Sequence, residues 1–139
     1  MRTIVARLHP GDDLRLGAVA LARDAGLLAP VIVTCVGSLS RVALRMAGVP
    51  ATTIFEDDFE IVSLVGTMAE DGPHLHLAVS DASGRVIGGH AQEGSIVRTT
   101  AEIVIGELED VTFSRPVDPA TGWDELVIEP RLPRRRRDA

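Results

Sequence analysis

The chain has 139 residues, with 14 basic and 20 acidic side chains, a formal net charge of −6, 45% hydrophobic residues and one cysteine. That length fits one domain with a sizeable core, and the lone Cys35 excludes a disulfide framework. All 14 basic residues are arginine, and up to residue 130 nine arginines stand against 19 acids, a formal −10 that repels a phosphate backbone at long range.

The N-terminal MRTIVARLHPG is too short and too soon interrupted for a signal peptide. Within it, residues 3–8 alternate as a strand that ends at His9-Pro10-Gly11. Asp12 or Asp13 then caps a helix through about Ala25, with Leu14, Ala18, Leu21, Ala22 and Ala25 as its apolar stripe and Gly26 as its stop. Residues 30–38 are β-branched and read as a buried strand. The uncharged run 26–40 falls short of a membrane helix and contains Pro30. With one unpaired cysteine, these features point to a soluble, cytoplasmic protein.

Gly37 to Ser40 reads as a turn into a segment of undefined type that Gly48-Val49-Pro50 breaks. A short strand covers 52–55, and Glu56-Asp57-Asp58 read as a solvated face or turn. Residues 59–68, FEIVSLVGTM, are a strand, and 69–73 a turn. Residues 95–108 form a long β-rich segment. VTFSR is a further strand, and DPATGWDELVIEP turns at Thr121-Gly122 before a last short strand. The expected fold is α/β, a mainly antiparallel sheet with one clear helix packed on it. A domain over 1–130 precedes an arginine-rich tail, 131–139, with almost nothing to bury.

Residues 74–90, HLHLAVSDASGRVIGGH, hold three of the four histidines. Ala82-Ser83-Gly84 suits a three-residue hairpin loop with Gly84 in the left-handed conformation. Asp81 then lies opposite Arg85, Val79 opposite Ile87, Leu77 opposite Gly89 and His76 opposite His90. His74 points the same way as His76 and lies diagonal to His90. Leu75, Leu77, Val79, Ile87 and Ala91 take the core face, and a one-residue slip would exchange the faces.

Three imidazoles suffice for a divalent-metal site that keeps one position for another ligand. Zinc suits them best, although nickel, copper and iron also accept neutral imidazole. Two other readings stay open, a structural hydrogen-bond cluster at a subunit contact and acid–base use without metal. Glycines 88 and 89 clear space beside His90 for a backbone or ligand. Glu60, on the other strong strand, is a candidate fourth ligand, outer partner or proton acceptor.

Elsewhere the residues read as structure. Cys35 sits in an apolar strand, buried and inert. Ser38 lacks the surrounding motif of a nucleophile. Glu102 faces solvent or an arginine. Trp123 packs over the sheet or anchors a subunit contact, and Arg98 and Arg115 pair with acids or cover the surface. The glycines at 66, 84, 88, 89 and 94 form no dinucleotide or phosphate loop, and no basic–aromatic interleaving offers a base-stacking surface.

GPHLHLAVSDASGRVIGGHAQEGSIVRTTAEIVI resembles the plants-and-prokaryotes-conserved (PPC) domain. FEIVSLVGTM, RLHPGDDL and FSRPVDPATGWDEL are similar to it in the same order, so the likeness covers about residues 3–129. The resemblance implies a mainly antiparallel fold, a homotrimer and metal ligation at His74, His76 and His90 near subunit contacts. Plant relatives join the domain to AT-hook segments that bind DNA. Here the tail PRLPRRRRDA lacks the glycine of that motif, so the DNA-binding role is not carried over. Three functions follow in order: a homo-oligomeric metal-binding module that contacts a protein or small ligand, a metal-dependent enzyme on a small substrate, and a DNA-binding regulator using the tail.

Overall fold

The computed structural model describes residues 1–131, and the expected tail beyond Arg131 lies outside them. The elements run β1 (Arg2–Leu8), α1 (Leu14–Asp24), β2 (Pro30–Arg45), β3 (Thr52–Ala69), β4 (Gly72–Ser80), β5 (Val86–Ala91), β6 (Ile96–Glu107), β7 (Val111–Ser114) and β8 (Val127–Pro130). Six strands form one sheet in the order β1-β6-β2-β3-β4-β5, and β7 pairs with β8 separately. The pairings between these strands are antiparallel. The fold is a mainly antiparallel sheet with one helix among the described residues. That helix is too short to cross a membrane.

β5 also returns to β2, pairing Ala91 with Leu44 and His90 with Arg45. This contact closes β2, β3, β4 and β5 into a small barrel and covers what would be an open edge of β5. A Cβ on Gly89 would stand 2.9 Å from the Arg45 carbonyl oxygen. The glycine beside His90 therefore admits a backbone, that of β2, and the barrel closes because no side chain is there.

The helix begins as its sequence requires. Asp13 caps it, its carboxylate accepting from the Leu16 amide at 2.9 Å. The same carboxylate accepts from the Gly94 amide at 2.6 Å, which ties the helix start to the β5–β6 loop. Leu14, Ala18 and Ala22 are buried, while Leu21 and Ala25 lie partly buried against the same core. α1 rests on β6 and β1. Their inner residues Ile103 and Ile105 join Leu39, Val42, Leu44, Leu77 and Val79 in full burial.

Two expected breaks are absent. β2 runs 16 residues through the stretch read as a turn at Gly37–Ser40. Its register against β6 shifts between Gly37 and Leu39 and again before Arg41, so bulges bend the strand where a turn was expected. β3 runs 18 residues through Glu56-Asp57-Asp58. Arg41 lies 3.6 Å from Glu56 and Arg98 lies 2.8 Å from Asp58. Cross-strand arginines let the acids occupy a strand face, though such exposed pairs add little stability.

Cys35 is buried, and burial pushes its thiol up to about 11, so it stays protonated and inert at neutral pH. Ser38 is also buried, its hydroxyl 2.6 Å from that of Thr99. Both behave as packing residues.

Candidate metal centre

The β4–β5 hairpin forms as its loop chemistry dictates. Gly84 adopts a φ of +82°, its amide donates to the Asp81 carbonyl at 2.9 Å, and the Asp81 amide donates to the Arg85 carbonyl at 3.0 Å. The Asp81 carboxylate accepts from the Ser83 amide, the Ser83 hydroxyl and the Arg85 amide, which rigidifies the turn. The register then sets Val79 opposite Ile87, Leu77 opposite Gly89 and His76 opposite His90. Leu75, Leu77, Val79 and Ala91 are buried, and the histidines take the other face.

His74, His76 and His90 come together with one ligating nitrogen each, all within 4.8 Å of one another. The Nε2 atoms of His74 and His76 are 3.1 Å apart. The His74 and His90 rings stack at 5.3 Å between centroids, 10° from parallel, while His76 stands edge-on to both. A tetrahedral ion at ordinary zinc–nitrogen distances separates its ligand nitrogens by about 3.3 Å. The His74–His76 pair matches that separation, and the three-imidazole donor set suits such an ion in chemistry. Burial, followed by the charge of Arg115, lowers the affinity of His74 for protons. Burial, followed by Arg45, does the same at His90. Both shifts favour the neutral imidazole that a metal requires.

The cluster opens on a cleft of about 680 Å³ that includes His74, His90, Arg45, Gln92, Arg115 and Trp123. Arg45 is the cross-strand neighbour of His90. Its guanidinium carbon lies 5.7 Å from the centroid of the Trp123 ring, within cation–π range. Trp123 is 64% exposed, so it stands at the cleft rim and does not pack over the sheet. Arg115 is only 8% exposed; it donates to the Asp124 carbonyl at 2.9 Å and to the Thr67 hydroxyl at 3.2 Å. Thr67 is the cross-strand neighbour of His74.

Arg115 and Trp123 reach this place on an arm, residues 111–131, folded back over the barrel. The Arg115 amide donates to Asp71 at 2.7 Å, and the Phe113 amide to the Leu28 carbonyl at 2.9 Å. At the far end Arg131 donates to the buried carboxylate of Glu107 at 2.9 Å, while its amide donates to the Asp110 carbonyl. Arg131 thus belongs to the folded body. Sequence reading missed Arg45 and Arg115 at this site because nothing in their local pattern reports on His74 or His90.

Glu60 does not join the cluster. It pairs with Ser80 on β4, four residues beyond His76, or about 13 Å along the strand. The hydrophobic alternation placed Glu60 on a strand correctly, but strand pairing sets it at the wrong height. Glu102 is exposed, opposite Arg7 in register, and takes no part.

The Plants and Prokaryotes Conserved (PCC) domain matches residues 1–109. The chain is 44% identical over 129 residues to a Synechococcus protein named Bifunctional protein GlmU, covering 93% of this chain and 21% of that one. It thus spans about a fifth of that relative's length. A solved Salmonella cholerae-suis protein, described as hypothetical, superposes with a TM-score of 0.91 at 48% identity, covering 94% of this chain and 95% of that chain. A Bacteroides thetaiotaomicron protein given a DNA-binding description shares the fold at 18% identity, TM-score 0.78, with 91% of each chain covered. An Archaeoglobus fulgidus protein described as metal-containing shares it at 23% identity, TM-score 0.68, covering 91% of this chain and 94% of that chain. With its fold, its histidine hairpin and a family match over most of its length, the chain belongs to the Plants and Prokaryotes Conserved domain family.

Proposed function

We propose that this protein is a self-associating module whose His74, His76 and His90 hold a divalent metal, zinc by ligand chemistry. The observation that carries the reading is the convergence of three imidazoles within 4.8 Å. When bound, the ion supplies a Lewis-acidic position that takes one further ligand. The description of the Archaeoglobus protein as metal-containing supports the same assignment.

Self-association is supported by the face that bears the histidines. Val31 pairs with Thr67 and Ser38 with Glu60, an offset that sets Val33 beside Val65 and Val36 beside Val62. All four are 49–57% exposed. Val65 is in turn the cross-strand neighbour of His76. An apolar patch running up to the three histidines suits a second copy of the chain, and a trimer is the assembly that the family resemblance favours.

Binding is preferred to catalysis because Glu60, the proton acceptor of the enzyme reading, stands about 13 Å along the strand from the cluster. Of the nearby acids, Asp71 accepts from the Arg115 amide and Glu125 from the Thr121 hydroxyl. A DNA-binding role is disfavoured by the formal −10 of residues 1–130. The test is elemental analysis of untagged protein beside a His74→Ala/His76→Ala/His90→Ala variant, with subunit mass measured on both. One metal per chain in the native protein, lost in a folded variant, is expected. Metal-free native protein after incubation with zinc would refute the assignment.

A further inference from the structure

Within the cleft, the two guanidinium groups flank the histidines symmetrically. Arg45 is one strand from His90, and Arg115 is anchored on Thr67, one strand from His74. Neither arginine has a carboxylate within ion-pair distance among the described residues. The Nε of Arg115 is buried and has no hydrogen-bond partner there, although the residue is 8% exposed. A guanidinium so placed is destabilising unless an anion answers it, since its charge is desolvated and one donor is unused. The neighbouring imidazoles can supply no negative charge, and a divalent cation would add positive charge.

We propose that the cleft binds a small molecule bearing an oxyanion, carboxylate or phosphate, between Arg45, Arg115 and the metal. The inference rests on the metal reading above and names the ligand class of the same site. Guanidinium forks match both oxyanions in geometry, and an oxyanion also suits the coordination position that three imidazoles leave. The cleft, about 680 Å³, falls in the size range of small-molecule sites. Trp123, exposed at the rim beside Arg45, offers a flat apolar surface to the body of the ligand. Asp71, Asp124 and Glu125 also line the cleft.

Trp123 is the sole tryptophan and the chain has no tyrosine, so intrinsic fluorescence reports on this rim alone. The full chain is titrated with inorganic phosphate and, separately, with benzoate, by calorimetry and fluorescence, before and after zinc loading. Zinc content is measured on each sample. Saturable binding of one probe is expected, weakened about tenfold or more in Arg45→Gln and less in Arg45→Lys, which keeps the charge without the fork. Preference for phosphate or for benzoate separates the two sources. If zinc is bound but neither probe binds, or Arg45→Gln binds as well as native, the oxyanion proposal is overturned and the metal reading survives. If zinc fails to bind, the metal reading falls. Arginine-dependent binding of either probe would then still support the oxyanion site, and its absence would overturn that too.

Discussion

The two faces of the β4–β5 ribbon are built from alternate residues of the same short stretch, yet they do opposite work. The inner face, Leu75, Leu77, Val79 and Ala91, is at most 4% exposed and packs the barrel. The outer face, His74, His76 and His90, packs nothing as tightly, and its His74 and His90 meet a cleft. The site is fixed by the core behind it. Because side chains alternate strictly, locking the leucines inside leaves the histidines no choice but to converge outside. The ligands are oriented without being buried themselves, which leaves them open to a metal and to a further ligand.

The comparison breaks most visibly from the inside. Leu77→Ala opens a void behind the histidines and costs about 2–5 kcal/mol of folding stability, read by denaturant titration. Equal stability would mean that the inner face does not set the register. From the outside, Val36→Arg with Val65→Arg puts charge on the apolar patch but leaves the core alone. Sedimentation should then show single chains where the native protein self-associates, with unchanged circular dichroism; an unchanged mass would place the subunit contact elsewhere.

A smaller effect follows from acid. The folded-state affinities of His74 and His90 for protons are lowered, by burial first and by Arg115 and Arg45 next. The unfolded chain therefore takes up these protons first. Metal-free protein should lose stability as the pH falls below the ordinary histidine value of about 6.5 towards the folded values, and show none of this loss above it. Thermal melts across pH 8 to 5 check the sign, and a His74→Gln/His90→Gln variant should flatten the slope. Metal affinity should fall over the same window, as protons compete for the nitrogens. The smallest effect is expected at Glu60, where Glu60→Gln should leave metal content unchanged; a lost metal would return that carboxylate to the centre.

Much of this was legible in local pattern. The Asp13 cap, the apolar stripe of α1, the Gly84 turn and the pairing of His76 with His90 each depend on residues close in sequence, so spacing and turn chemistry suffice. The family resemblance supplied the overall fold and agrees with the matched domain. What local pattern misread were the continuous β2 and β3. Gly37 and Glu56-Asp57-Asp58 carry turn chemistry, but Gly37 pairs with Ala101 on β6, and Glu56 and Phe59 pair with Arg41 and Leu39 on β2, which keeps both stretches in strand.

By itself, then, the sequence determined the ribbon and its two faces, because a period of two and a glycine turn are properties of the local chain. Only the tertiary structure decided what shares the cleft with the histidines. Closure of β5 on β2 brings Arg45 to His90, and an arm held by Arg115 to Asp71 and Arg131 to Glu107 brings Arg115 and Trp123 to the same rim. Those contacts join residues 24 to 45 positions apart, and no periodicity within a strand encodes which distant segment will cover it.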